Sequence, residues 1–283
     1  MENKINTIKT LFEALPFIKK FNDEKIVIKY GGSAQTSEKL KIGFVQDIAL
    51  LNLVGMKPII VHGGGKSITN LLSELNIDTK FIDGQRVTTK EVLRVAEMVL
   101  SGEINKEIVS LLNREGTKSM GLSGKDGNLL EAIPKDFETF GYTGVIERVN
   151  PEVINSVIDN GFIPVVAPIA GCASNTYSGF NINADIAASE IAIATKARKI
   201  LFLTDTEGVL DKDKNLITTL SLEDCDRLKA DGTIYGGMVP KVDACITALR
   251  GGVKKAHIID GQQEHSLLLE ILTSAGVGSC IEL

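Results

Sequence analysis

Glycines follow three apolar runs of this chain, and a charged residue stands beside two of them. Lys29 is next to last in the run IVIKY, which continues into Gly31-Gly32. The run PIIVH continues into residues 63–65, all glycine. The run ILFLT ends at Thr204 and continues into Asp205-Thr-Glu-Gly208. Glycines let backbone N–H groups approach an anion closely. Any one loop is more often an ordinary tight turn, so the three predict phosphate binding only when taken together.

Two lysines occupy positions where a cation is costly unless it meets an anion. Lys29 lies at the carboxyl end of an apolar run, where a buried ammonium needs a negative partner. Lys241 lies early in a predicted helix that follows Gly236-Gly237, and cations near a helix N-terminus oppose the helix dipole. The two positions indicate a bound anion, although a solvated lysine is the common alternative for each one alone.

Polar residues alternate in the segment Asn181-Ile-Asn183-Ala-Asp185. If the segment is extended, these three side chains project to the same side and could together bind a ligand and orient a lysine. The simpler alternative is that Asp185 caps the helix that follows. Capping explains one polar residue but not three.

The elements that position these residues are short β-branched runs alternating with helical patterns. After IVIKY and PIIVH, helices are predicted over 38–54 and 66–75, and the runs FIPVVAP, ILFLT and AHIID follow later. This alternation predicts a mostly parallel sheet with helices on both faces, which binds ligands at the carboxyl ends of its strands. Inserted β-hairpins are predicted over 118–150 and 171–182, and the Ala-rich stretch 184–197 could join two lobes.

Composition and two missing motifs limit the alternatives. The net charge of -5 and pI near 5.4 leave no basic face for nucleic acid. Four dispersed cysteines, no secretion signal and no membrane-length apolar run predict a cytoplasmic protein. Gly65-Lys66-Ser67 resembles the end of a P-loop, but the first glycine of that motif would fall at Ile60, and no Rossmann fingerprint is present.

Eight blocks between residues 26 and 260, in order, resemble the amino acid kinase family, and within it the branch that phosphorylates N-acetylglutamate. The blocks are IVIKYGG, IIVHGGG, GQRVT, MVLSGEINKEIV, GLSGKDG, FNINAD, LTDTEGVL and GGMVPKVDA. The resemblance implies a three-layer αβα sandwich with an open, mostly parallel sheet and two lobes. It also implies transfer of the γ-phosphate of ATP to the side-chain carboxylate of N-acetylglutamate, the second step of arginine biosynthesis.

The same resemblance implies roles for individual residues. The expected catalytic residues are Lys29, Lys241 and Asp185; the acetylglutamate site comprises Gly64, Gly65, Arg86 and Asn181; and the nucleotide site comprises Gly31, Gly32, Thr204 and Asp205. A carboxylate acceptor is already ionised, so no general base is needed. His62 is therefore predicted to be a hydrogen-bonded residue at a strand end. With no dense Asp/Glu cluster, Mg²⁺ is expected to be held mainly by the ATP phosphates.

Apolar residues at helical spacing predict an amphipathic helix over 4–20, kinked or interrupted at Pro16. Taken alone, it would pack on its own chain. The resemblance implies instead an oligomerisation helix (1–22) ahead of an acetylglutamate lobe (23–195) and an ATP lobe (196–283), in an arginine-inhibited hexamer. Expected arginine-site residues are His265, Glu270 and Gly276, while Gln262 stands where the family usually has arginine.

Two alternatives remain open from the sequence. The chain could be a sibling kinase acting on aspartate, glutamate, carbamate or UMP, since the lysine-glycine-glycine and Asp205 loops are widely shared in the family. GQRVT and FNINAD favour acetylglutamate. It could also be a catalytically silent arginine sensor. Retention of Lys29, Lys241 and Asp185 argues against that alternative.

Overall fold

The structure is a computed structural model that describes residues 2–35, 37–82, 84–174 and 176–283, with the backbone alone at residues 2–8 and 33. Its strands are β1 (Lys25–Tyr30), β2 (Lys57–His62), β3 (Lys80–Ile82), β4 (Gln85–Val87), β5 (Ser119–Ser123), β6 (Leu130–Pro134), β7 (Gly144–Val149), β8 (Ile163–Ala167), β9 (Ile169–Cys172), β10 (Phe180–Asn181), β11 (Lys199–Thr204), β12 (Thr219–Leu220), β13 (Lys255–Asp260) and β14 (Ser279–Ile281). Its α-helices are α1 (Glu2–Phe21), α2 (Glu38–Leu53), α3 (Gly65–Glu74), α4 (Lys90–Glu97), α5 (Asn105–Arg114), α6 (Phe137–Phe140), α7 (Pro151–Asp159), α8 (Ala184–Ala194), α9 (Leu222–Ala230), α10 (Met238–Arg250) and α11 (Ser266–Leu272).

The main sheet of the described residues has eight strands in the order β12-β14-β13-β11-β1-β2-β8-β5. Neighbours pair in parallel except at β13–β14, where the pairing is antiparallel. The strands β2, β8 and β5 lie on one side of β1, and the later strands β11, β13, β14 and β12 lie on the other. The boundary between β1 and β11 is therefore the topological switch point, where open α/β sheets bind ligands. The predicted αβα architecture is confirmed.

Each face of the sheet packs against its own hydrophobic cluster. Val27 of β1 lies in the cluster covered by α8 and α10, while Ile26 and Ile28 lie in the cluster covered by α2 and α11. Strands buried on both faces have unbroken apolar sequences, which is why the central strands could be recognised from sequence. Because side chains alternate along a strand, Lys29 shares the face of Val27 and points toward α8 and α10.

The inserted β-structure differs in part from its prediction. β6 and β7 form an antiparallel hairpin, and β9 and β10 pair antiparallel; together they make a separate sheet in the order β10-β9-β6-β7. The prediction of hairpin structure from residue 118 was wrong at its start, because β5 is the edge strand of the main sheet and pairs in parallel with β8. Its alternating pattern reflects an edge position and not an insertion.

Helix α1 runs continuously through Pro16, so of the two predicted outcomes, a kink or an interruption, the interruption was wrong. Its C-terminal end packs on the chain: Phe21 is buried and Phe17 packs beside it in the cluster that includes α11. Leu11 and Phe12 are 61% and 68% exposed. The helix therefore covers its own chain with one part of its apolar surface and leaves another part open. Among the described helices, none has the length and apolar character needed to cross a membrane.

Candidate active site

Two lysines and one aspartate meet at the carboxyl end of β1. Lys29 Nζ lies 3.0 Å from Asp185 Oδ1, and Lys241 Nζ lies 3.0 Å from Asp185 Oδ2. Asp185 is 5% exposed and Lys29 8%. One buried carboxylate thus holds two ammonium groups, one from strand β1 and one from helix α10.

The local sequence explains how each of the three groups reaches this point. Lys29 extends from β1, Lys241 lies in the first turns of α10, and Asp185 lies in the first turn of α8. The capping alternative for Asp185 was wrong, because Asn183 is the N-cap and its side-chain oxygen accepts from Asp185 N at 2.8 Å and Ile186 N at 3.3 Å. The cap leaves the Asp185 carboxylate for the lysines.

The charge state of this cluster follows from its contacts. Burial by itself would raise the pKa of Asp185, but the adjacent charges of Lys29 and Lys241 hold that pKa below its ordinary value of 3.8. The cluster therefore carries one negative and two positive charges near neutral pH. Its net positive charge can attract an anionic ligand.

The glycines of the first loop allow close approaches that a side chain would prevent. A Cβ at Gly31 would lie 2.7 Å from Lys29 Nζ, so the missing side chain leaves room for the ammonium. Gly32 has a φ of +70°, and a Cβ there would overlap the Asp205 carboxylate. The loops after β1 and β11 thus meet at the switch point, with Thr204 buried beneath them.

Arg86 is anchored by three neutral acceptors. Its Nη1 donates to Thr79 Oγ1 at 2.8 Å, and its Nη2 donates to Gly65 O and Thr69 Oγ1 at 2.9 Å each. The guanidinium also lies over the Phe81 ring, 4.6 Å from its centroid. Burial lowers the pKa of Arg86, and no charge among the described residues offsets this. A buried guanidinium without a carboxylate partner is suited to an anionic ligand.

One cavity brings together two of the three predicted catalytic residues and the predicted acceptor-site residues, while Lys241 lies outside its lining. Its lining includes Lys29, Asp185, Gly64, Gly65, Arg86 and Asn181. The four predicted nucleotide residues, Gly31, Gly32, Thr204 and Asp205, lie outside that lining. Gly31, Gly32 and Asp205 lie in the loops after β1 and β11, and Thr204 is the last residue of β11. Lys29 lines the cavity and lies directly beside Gly31 of the first loop.

Hydroxyl groups that sequence reasoning missed support the acceptor side of the cavity. Thr143 Oγ1 donates to Arg86 O at 2.6 Å and contacts Thr88 Oγ1 at 2.9 Å, while Asn181 Nδ2 donates to Thr88 Oγ1 at 3.3 Å. Thr143 lies just ahead of β7, distant in sequence from β4. Nothing in the local pattern around Thr143 marks this role.

A second buried cluster lies near the C-terminus. Glu270 Oε1 is 2.7 Å from His257 Nδ1, and Glu270 Oε2 accepts from Val277 N at 2.9 Å. Gly276 has a φ of +64°, and a Cβ there would lie 2.7 Å from Glu270 Oε2. Burial favours a raised pKa for Glu270, but contact with His257 holds it below the ordinary value. The buried carboxylate is therefore ionised.

The structure separates His265 from this cluster. His265 Nδ1 lies 2.5 Å from Asp47 Oδ1 of α2, and the histidine that contacts Glu270 is His257. Lys199 lies near Glu270, whose pKa its charge helps to lower, and its Nζ is 4.8 Å from the centroid of the Phe21 ring at the end of α1. The family resemblance suggested His265, whereas the histidine that contacts Glu270 lies on β13.

Gln262, where the resemblance leads us to expect arginine, contacts the Asp205 loop. Its Nε2 donates to Asp205 O at 3.2 Å, and its backbone N–H donates to Asp260 Oδ1 at 2.8 Å. The neutral side chain therefore supports the backbone of the Asp205 loop. In the described part of the chain, no group of three or more His, Cys, Asp or Glu residues is arranged to hold a metal ion.

Curated relatives match the chain along its whole length. An acetylglutamate kinase from a Sulfurovum species is 71% identical over 283 residues, which is 100% of both chains. An acetylglutamate kinase from a Nitratiruptor species is 62% identical, covering 99% of this chain and 98% of that relative. These identities far exceed what a shared fold alone requires.

A solved structure and a family model agree with the fold. The N-acetylglutamate synthase from Neisseria gonorrhoeae complexed with coenzyme A and N-acetyl-glutamate matches with a TM-score of 0.87 at 24% identity. That match covers 98% of this chain, which spans 63% of the length of the synthase chain, and at this identity the likeness concerns the fold. The model of the Amino acid kinase family matches residues 24–260. The expected resemblance is thereby confirmed: the chain belongs to the amino acid kinase family.

Proposed function

We propose that this protein is an acetylglutamate kinase, which transfers the γ-phosphate of ATP to the side-chain carboxylate of N-acetyl-L-glutamate. The observation that carries the proposal is the cluster of Lys29, Asp185 and Lys241 beside a cavity that also contains Arg86, a guanidinium with no carboxylate partner among the described residues. Full-length relatives of the same name support the choice of acceptor.

The proposed reaction brings two anions together. A side-chain carboxylate oxygen of the acceptor attacks the γ-phosphorus of ATP, the bond to the bridging oxygen of the β-phosphate breaks, and ADP leaves. The products are N-acetylglutamyl 5-phosphate and ADP. Because the nucleophile is already ionised, catalysis depends on positioning and on positive charge around the transferring group.

Each charged group has a separate part in this proposal. Lys29 and Lys241 stabilise the negative charge on the transferring phosphoryl group, and Asp185 fixes both ammonium groups in place. Arg86 binds a carboxylate of the acceptor, together with the backbone of Gly64 and Gly65 and the amide of Asn181. The nucleotide binds at the carboxyl ends of β1 and β11, where it meets Gly31, Gly32, Thr204 and Asp205.

Mg²⁺ enters the proposal as part of the ATP substrate. Both oxygens of Asp185 face lysines, so this carboxylate is not disposed to bind the ion. Mg²⁺ usually keeps several waters and binds nucleotide phosphates together with few protein carboxylates. We therefore propose that the phosphates hold the ion. Because ATP is a cytoplasmic metabolite, the proposal also places the protein in the cytoplasm.

The acceptor assignment is tested by measuring ATP consumption with N-acetylglutamate, aspartate, glutamate, carbamate and UMP in parallel. We expect N-acetylglutamate to give by far the highest kcat/KM, and hydroxylamine to trap its acyl phosphate product. A clear preference for another acceptor would assign the chain to a sibling kinase. Absence of ATP consumption combined with calorimetric binding of arginine would support the silent-sensor alternative instead.

Replacing Arg86 by lysine should raise the KM for N-acetylglutamate about tenfold or more while lowering kcat less, because it removes a planar fork that binds substrate throughout the reaction. Steady-state kinetics with saturating ATP measure both constants. Arg148→Lys is the matched control, since Arg148 pairs with Glu131 on the separate sheet. An unchanged KM in Arg86→Lys would remove this residue from the acceptor site.

We also propose feedback inhibition by arginine at the cluster of Glu270, His257, Lys199 and Gly276. The buried ionised carboxylate of Glu270 is suited to a guanidinium, although His257 must yield its contact. His257 thus takes the place expected for His265. Phe21 connects this cluster to α1, whose exposed Leu11 and Phe12 fit the proposed role of the helix in a hexamer built from dimers.

Glu270→Gln should raise the arginine concentration for half-inhibition about tenfold or more, since a charge-assisted contact to the guanidinium is lost. His265→Gln should leave it nearly unchanged. Inhibition curves at fixed substrate compare both variants with wild type. Glu282→Gln serves as the control because Glu282 pairs with Lys255 at the surface. Equal effects of the Glu270 and Glu282 variants would contradict the site, and sedimentation showing dimers alone would contradict the hexamer.

A further inference from the structure

His62, the last residue of β2, makes two hydrogen bonds that specify one form of its ring. Its Nδ1 lies 3.1 Å from Gly63 O and its Nε2 lies 3.2 Å from Asn105 Nδ2. A carbonyl oxygen can only accept, so Nδ1 carries the hydrogen, and Nε2 is left to accept from the amide. Burial lowers the pKa of His62 to about 4, which keeps the ring neutral.

The orientation of Asn105 is determined independently of His62. Its Oδ1 accepts from Lys106 Nζ at 2.9 Å, and its Nδ2 donates to Val165 O of β8 at 2.9 Å. Lysine only donates and a carbonyl only accepts, so the amide cannot be reversed without losing both contacts. Asn105 is fully buried. Its Nδ2 therefore faces the ring as a donor.

The same segment of chain also packs on the next glycine. Asn105 begins α5 directly after the π-helical segment Met98–Ile104. A Cβ at Gly64 would overlap the side chains of Ile104 and Leu100 from that segment. π-helical turns are frequent at functional sites. Here the turn holds two apolar side chains against Gly64 and an amide against His62.

We propose that His62 and Asn105 are positioning residues that orient the Gly63-Gly64-Gly65 loop for the acceptor. Asn105 selects the Nδ1–H form of His62, and this N–H donates to the carbonyl of Gly63, which also accepts from Gln35 Nε2 at 3.1 Å. The N–H of Gly64 belongs to the same planar peptide unit as this carbonyl and is thereby held at a set angle. The inference rests on the proposed function, because the loop is assigned to acetylglutamate there.

A matched pair of variants separates positioning from packing. In His62→Asn, the side-chain amide nitrogen falls close to the place of Nδ1 and can still donate to Gly63 O. In His62→Gln, the amide reaches toward the place of Nε2 and Asn105, and the hydrogen bond from residue 62 to Gly63 O is lost, which leaves Gln35 Nε2 as the remaining side-chain donor to that carbonyl. Both variants replace a buried imidazole ring by an amide side chain of different shape, so both should lower the melting temperature.

Misplacement of reacting groups by about 1 Å can cost on the order of a hundredfold in rate. We therefore expect His62→Gln to raise the KM for N-acetylglutamate and to lower kcat, each about tenfold, and His62→Asn to stay within about threefold of wild type in both constants. Equal kinetic losses in the two variants, or losses in neither, would overturn the positioning role. The KM for ATP serves as an internal comparison, which should change less.

Nitrogen-15 NMR of the three histidines in the wild-type protein provides a test that does not depend on variants folding. His257→Gln and His265→Gln assign the His62 signal by elimination. We expect the neutral Nδ1–H tautomer at pH 7, unchanged down to about pH 5. An Nε2–H tautomer or a charged ring would refute the network. If wild type fails to phosphorylate N-acetylglutamate, the proposed function falls, while the tautomer still decides the hydrogen-bond arrangement.

Discussion

Replacing Lys29 by methionine should lower kcat about a hundredfold or more, because a preorganised charge at a developing anion contributes that much in comparable sites. Methionine keeps most of the volume of the lysine chain, so the fold should persist. Asp185 would retain Lys241 as a partner. Steady-state turnover with saturating ATP and N-acetylglutamate measures the effect, and circular dichroism confirms folding.

Lys57→Met is the matched control for this substitution. Lys57 begins β2 at the opposite end of the sheet and pairs with the exposed Asp23. Loss of such a surface pair costs little stability and should leave kcat near that of wild type. Near-normal turnover in Lys29→Met would remove this lysine from the proposed transfer step.

Asp185→Asn should lower kcat about a hundredfold while the protein remains folded, because both lysines lose the charge that fixes their positions. The variant keeps the shape of the side chain and leaves the helix cap to Asn183. A lower melting temperature with unchanged turnover would restrict Asp185 to a structural role. Kinetics and thermal unfolding, measured on the same preparation, distinguish the two outcomes.

The lowered pKa of Asp185 also predicts that the stability of the protein depends on pH. The pKa of Asp185 in the folded protein lies below its ordinary value of 3.8, so the carboxylate binds a proton more readily in the unfolded chain. Its contribution to stability is therefore present above about pH 4 and is lost as the pH falls through the folded pKa. The difference in unfolding free energy between wild type and Asp185→Asn should shrink below about pH 4. A constant difference across that range would contradict the assigned contacts.

Much of the site could be anticipated because it lies at the ends of strands. Apolar runs such as IVIKY are buried on both faces of a parallel sheet, and their loops converge on one edge whatever the rest of the chain does. Lys29 and the glycines after β1 and β2 were therefore located by sequence. The family resemblance then identified Lys241, Asp185 and Arg86 as further residues of the same site.

Other features depended on contacts between elements distant in the chain. The sequence could not distinguish Asn183 from Asp185 as the helix cap, since either residue type serves that purpose. The family resemblance grouped His265 with Glu270, whereas the fold pairs His265 with Asp47 and brings His257 to Glu270. The sequence also could not show that β5 is the edge strand of the main sheet, because this depends on its pairing with β8.

The sequence by itself thus determined the strands, the loops and the kinds of charge available at the carboxyl edge of the sheet. Only the tertiary structure decided which of these groups touch: one carboxylate between two lysines, and a neutral histidine hydrogen-bonded to Asn105 behind the glycine loop. The physical reason is that periodicity sets the face on which a side chain lies. The partner it meets there depends on crossovers that bring distant segments to the same face.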